Sequence, residues 1–113
     1  MRRLFEILGM AHKANILVSG QTRIKNELRR GKRLLVMLTE DHSRNVMSAI
    51  AGYHERGRCK VVVMKGVTRN SIANQLGLGR TQILAIPEQN GLAEKIEALV
   101  TEGVDMNEQD SSV

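Results

Sequence analysis

The chain has 113 residues, the length of one domain with room for a modest two- or three-layer core. Phe5 and Tyr53 are its only aromatic residues, so the core must be aliphatic, and binding of single strands by stacking bases on a platform of exposed aromatics is excluded. The net charge of +5 includes three acids, Asp105, Glu108 and Asp110, in a cation-free tail at 104–113; without them residues 1–103 carry about +8, which favours a polyanionic partner, most often nucleic acid.

From Arg2 to Lys13, Leu4, Ile7, Leu8 and Ala11 fall at the i, i+3, i+4, i+7 positions of one helix face, which predicts a first helix in spite of Gly9. The N-terminal arginines precede an amphipathic pattern broken by Glu6, not a continuous apolar run with a cleavage site, and no run approaches a membrane span; a cytoplasmic protein is expected. A short apolar strand, Ile16 to Val18, leads through Gly20 into a basic helix from about Gln21 to Arg30, with Gly31 as its C-cap. Leu34 to Leu38 form a continuous apolar run, as expected of a strand covered on both faces. The polar turn Thr39 to Ser43, including Glu40 and Asp41, supplies caps for a helix with Val46, Ala49, Ile50 and Tyr53 inward, and Gly57 ends it.

Val61 to Met64 read as a second strand buried on both sides, after which Thr68 or Asn70 caps a short helix with Ile72, Ala73 and Leu76 inward. A tight loop, Gly77 to Arg80, precedes the last strand, Ile83 to Ile86, which Pro87 stops. Leu92, Ile96, Leu99 and Val100 mark the last helix, and beyond Gly103 the acidic composition predicts a disordered tail. Alternating strands and helices give an α/β sandwich with a mixed, largely parallel sheet of about four strands, in one domain over residues 1–103.

Few residues invite a catalytic or metal reading. The lone cysteine, Cys59, opens an apolar strand and reads as a buried thiol in a reducing compartment; with His54 it makes a two-ligand pair that lacks a second pair at metal-site spacing. His12, beside Lys13, suits the C-terminal end of the first helix, where a cation is favoured. No GxGxxG or GxxxxGK[ST] loop occurs, and the Gly77 to Gly79 loop lies between helix and strand, the reverse of the nucleotide-loop order; neither cofactor nor metal is expected, and no enzymatic activity.

The basic helix remains. Only Ile24 and Leu28 recur there at the spacing of a buried stripe, while Gln21, Arg23, Lys25, Asn26, Arg29 and Arg30 would face solvent. Its first turn offers unpaired backbone N–H groups to a phosphate or a base-edge acceptor. Ser19 and Gly20 allow close approach of the backbone, and Gln21, Thr22, Arg23 and Asn26 offer donors. Leu78, Gly79 and Arg80, ahead of the last strand, would share the same sheet edge and present small and apolar groups to an unstacked base.

The order of elements, with LGMAHKANILVSG at Leu8 to Gly20 and VMLTEDHSRNV at Val36 to Val46, resembles the ribosomal protein L-seven-Ae family in its bacterial YlxQ-like branch. The likeness extends from Leu4 to Val100. It implies a three-layer α/β/α sandwich and non-catalytic binding of structured RNA, commonly the kink-turn, with rRNA and the ribosome as expected partners. In the family's kink-turn binders an Asn-Glu pair and a following Lys read guanines from the second helix; the matching positions here are Thr22, Arg23 and Asn26, and none carries the family residue. Arg23 in place of the Glu removes an acceptor for a guanine edge and attracts phosphate instead. The family's hydrophobic loop before the last strand falls on Gly77 to Thr81, shortened and carrying a cation. The expected RNA contacts are therefore Ser19 to Arg23, Asn26, Arg30 and Leu78 to Arg80. The alternative is a protein-interaction or dimerisation module, which would self-associate without RNA and expose a sizeable apolar patch.

Overall fold

A computed structural model describes residues 2–102; the predicted tail, 104–113, lies outside the described residues. Five helices and four strands alternate: α1 (Arg2–Lys13), β1 (Val18–Ser19), α2 (Gln21–Arg29), β2 (Leu34–Thr39), α3 (Arg44–Glu55), β3 (Cys59–Met64), α4 (Arg69–Leu76), β4 (Ile83–Pro87) and α5 (Gly91–Glu102). The strands form one sheet in the order β1-β4-β2-β3. The fold is α/β with a mixed sheet, but the expectation that most pairs are parallel fails. Only β2 and β3 run parallel, whereas β4 is antiparallel to both β1 and β2.

Helix length accounts for the difference. The 12 residues of α3 span about 18 Å, which carries the chain back along the six-residue β2 to begin β3 alongside it. The eight residues of α4 span only about 12 Å. The chain therefore re-enters the sheet near where β3 left it, and β4 runs the other way, with Ile83 opposite Leu38. This end, where β2 and β3 finish and β4 begins, is termed the upper end.

The sheet divides the core by alternation of side chains along each strand. On β2, Leu35 and Met37 join Leu4, Leu8, Ile72 and Ile96 beneath α1, α4 and α5, while Leu34, Val36 and Leu38 join Ile24, Leu28, Val46 and Ile50 beneath α2 and α3. The helices thus cover both faces, a three-layer arrangement. β2 is buried at all six positions, as its continuous apolar run predicts. β3 is not: it is an edge strand, with Lys60 and Val63 exposed, so the second apolar run marks an edge of the sheet and not its centre. Ala49, Tyr53, Ala73 and Leu76 are half-buried where full burial is expected.

Local signals set most boundaries. Ser43 caps α3 and Thr68 caps α4, the latter in a reciprocal capping box with Ser71. Helix α2 ends at Arg30, and the left-handed Gly31 (φ 89°) is the residue after the cap. Glu40 and Asp41 do not cap α3 as expected; they tie the β2–α3 turn to the β3–α4 turn. Glu40 accepts the Gly66 N–H at 3.0 Å, and Asp41 accepts the Arg69 N–H at 3.1 Å and its Nε at 3.4 Å. Burial pushes the Asp41 carboxyl up, but hydrogen bonds from Thr39 and Arg69 outweigh it and hold the group below the ordinary aspartate value.

Candidate nucleic-acid interface

Helix α2 starts at the upper end, where the Gly20 N–H donates to the Ile83 carbonyl at 3.1 Å. Gly20 sits at φ 95°, ψ 147°, a region that only glycine adopts without strain, and no side chain caps the helix. The N–H groups of its first turn are thereby left for solvent or a ligand. Gln21, Thr22, Arg23 and Asn26 are exposed around them, Ser19 and Gly20 are half-buried, and Ile24 and Leu28 hold the opposite face in the core. Asn26 Oδ1 accepts from Arg29 Nη1 at 3.4 Å, which turns its amide N–H groups outward as donors.

The loop before β4 meets this turn through β4 itself. Gly77 closes α4 in the left-handed conformation (φ 69°); Gly79 and Arg80 are exposed, and Leu78 is half-buried with its side chain packed against the core beneath α1, α4 and α5. Leu78 is thus held mainly by the protein, and the exposed contribution of the loop is Gly79 and Arg80. The Gln82 carbonyl accepts from the Thr39 N–H at 3.0 Å, and Gln82 Oε1 accepts from the Ser43 N–H at 2.7 Å. Residues 82 and 83 therefore join three segments: the start of α2, the loop 77–81 and the start of α3.

The third of these segments was missed in the sequence. Ser43 and Arg44 open α3 beside the loop, Arg44 is exposed, and the His42 Nδ1–H donates to the Thr39 carbonyl at 2.6 Å. The turn reads in sequence only as a supply of caps; the bond that brings it to the loop spans 39 residues and has no local signature. Of the predicted contacts, all but Arg30 gather at the upper end. Arg30 lies at the far end of α2, about 13 Å along the helix from Gln21.

The charges around this edge are left unneutralised. Arg23, Lys25, Arg44 and Arg80 take part in none of the ion pairs among the described residues, whereas Arg69 is held by Asp41 and Lys32 by Glu27 at 2.9 Å. The hydrogen bond from Lys32 is the main reason the Glu27 carboxyl sits below its ordinary value. No cluster of metal-ligating side chains occurs among the described residues. His54 Nδ1 donates to the Cys59 carbonyl at 3.2 Å, and burial, with Glu88 nearby, pushes the Cys59 thiol up, away from the thiolate that a metal or an electrophile would need. No helix among the described residues is long and apolar enough to cross a membrane.

The fold is shared with a solved structure, that of a protein of unknown function from Bacillus halodurans C, with a TM-score of 0.74 at 19% identity, covering 87% of this chain and 96% of that one. No family model matches the chain. It is 30% identical over 99 residues to the RNA-binding protein YlxQ of Bacillus subtilis (strain 168), covering 85% of this chain and 93% of YlxQ. At that identity and coverage, the chain belongs to the family of YlxQ.

Proposed function

We propose that this protein binds structured RNA without catalysing a reaction, as an L-seven-Ae-type RNA-binding domain acting in the cytoplasm on ribosomal or kink-turn-like RNA. The observation that carries the reading is the uncapped, glycine-led start of α2, joined through Ile83 and Gln82 to the loop 77–81 and rimmed by unpaired cations. Backbone donors suit phosphate oxygens and base-edge acceptors, and Arg23, Arg44 and Arg80 add phosphate contacts. The RNA-binding relative supports the same partner.

The alternative, docking to a protein, has less support. Among the described residues, the exposed large apolar side chains are three, Met10 on α1, Met47 on α3 and Val63 on β3.

With Thr22, Arg23 and Asn26 at the reading positions, phosphate contacts carry more of the affinity than base contacts. A fluorescence-anisotropy titration over a range of salt, against a kink-turn RNA and a plain duplex of equal length, tests this. Tight binding with a steep salt dependence is expected, and Arg23→Ala weakens it several-fold and lowers the log–log salt slope by about 1. Absence of binding at low salt would move the function to protein docking.

A further inference from the structure

Helices α2 and α3 both begin at the upper end, both run down the same face of the sheet, and pack side by side over one cluster of core residues. Their outer faces form one strip, leading from the candidate interface to the lower end of the molecule. At that end lie Arg29 and Arg30, which close α2, and Arg56 and Arg58, which follow α3. Arg58 reaches across to α2: a Cβ on Gly31 would lie 3.6 Å from Arg58 Nη2. Arg56 folds back along α3, its guanidinium 5.1 Å from the centre of the Tyr53 ring and its Nη1 3.4 Å from where a Gly52 Cβ would be.

The pairing of charges separates these arginines from their neighbours. Around the lower end Lys32 is neutralised by Glu27, Arg33 by Glu88 at 3.3 Å, and Lys60 by Glu97 at 3.4 Å. Among the described residues, Arg29, Arg30, Arg56 and Arg58 have no carboxylate within ion-pair distance; Glu27 acts on Arg30 only from further off, and Glu55 is close in sequence to Arg56. The residue type is also informative. Elsewhere in the described chain, apart from Arg80 in the interface loop, the cations outside any ion pair are lysines, Lys13, Lys65 and Lys95, the strongly hydrated choice for solubility. On the α2–α3 strip they are arginines with the single exception of Lys25, and the planar guanidinium matches a phosphate in two directions at once.

We propose that this lower arginine cluster is a second contact surface, for the phosphate backbone of an RNA stem that continues from the element held at the upper end. The inference rests on the RNA-binding reading above and adds where the flanking duplex runs. The N–H donors of α2 are all at the other end and the helix C-termini present carbonyl acceptors, so phosphate contact at the lower end falls to the arginine side chains. That contact is with the shape and charge of a duplex, independent of sequence.

The test uses the full chain and two kink-turn RNAs, one with minimal stems and one with both stems lengthened by a helical turn, titrated over a range of salt. Wild type binds the long-stem RNA more tightly. The variant Arg56→Gln/Arg58→Gln loses that advantage, binds the minimal RNA as wild type does, and lowers the salt slope on the long RNA by about 2. The corresponding double lysine variant keeps the slope and loses part of the affinity, which separates a charge effect from misfolding. Equal binding of the two RNAs by wild type, or an undiminished long-stem advantage in the glutamine variant, overturns the second surface and leaves the upper interface intact. Failure of wild type to bind either RNA, with binding to an acidic protein or to anionic vesicles in its place, overturns both.

Discussion

At Gly20 one backbone conformation sets up the proposed interface. A Cβ there would meet no atom within 4 Å, so a side chain would fit the space and still be strained at φ 95°. Gly20→Ala is expected to destabilise the fold by about 1–3 kcal/mol through backbone strain alone, and to weaken RNA binding by turning the first N–H groups of α2. Gly9, inside α1 and also with nothing within 4 Å, is the control: Gly9→Ala is expected to stabilise by about 0.5–1 kcal/mol, because a helix interior favours alanine. Urea denaturation of the two variants checks the pair; equal effects would remove the argument from backbone conformation. Cys59 and His54 matter at this scale for what they do not offer, since the thiol is buried and the imidazole is bonded to a backbone carbonyl.

Between elements, Gln82 is the link that holds the interface together. Gln82→Ala leaves the half-buried Ser43 N–H without its acceptor and frees the loop from the start of α3. The expected cost is about 1–2 kcal/mol in chemical denaturation, with a larger fractional loss of RNA affinity than of stability. How much of this was legible in sequence follows from the range of each interaction. The periodicity of α1 and the continuous run of β2 are local signals and read correctly, whereas the caps are legible only as a choice, Ser43 from the turn Thr39 to Ser43 and Thr68 from Thr68 or Asn70. The Val61 to Met64 run looks like that of β2 but lies at the sheet edge, because apolar content along a strand does not report what stands beside it. The antiparallel β4 follows from the shortness of α4, a length visible in sequence whose consequence appears only against the length of the strands. The placement of Arg44 and the approach of Arg58 to Gly31 depend on contacts between distant segments and carry no local mark.

Across the whole molecule the sheet separates two kinds of helical layer. The layer of α1, α4 and α5 covers the larger core cluster, and α5 is tied to the edge strand through the Lys60–Glu97 pair. The layer of α2 and α3 buries fewer side chains and carries Arg23, Arg29 and Arg44 outside any ion pair among the described residues, so substitutions on its outer face are expected to alter RNA binding with little effect on the fold. That division has a kinetic side, which begins at β1. This strand is two residues long, pairs with β4 through Val18 opposite Ala85 and Ser19 opposite Leu84, and leads through the single Gly20–Ile83 hydrogen bond into α2. Segments with so few ladder bonds open without the rest of the protein. In hydrogen exchange, the amides of Val18 to Gly20 should therefore be replaced by deuterium well before those of β2, and bound RNA should slow them selectively. If the proposed recognition edge opens ahead of the sheet in this way, it can adjust to its ligand while the core beneath stays closed.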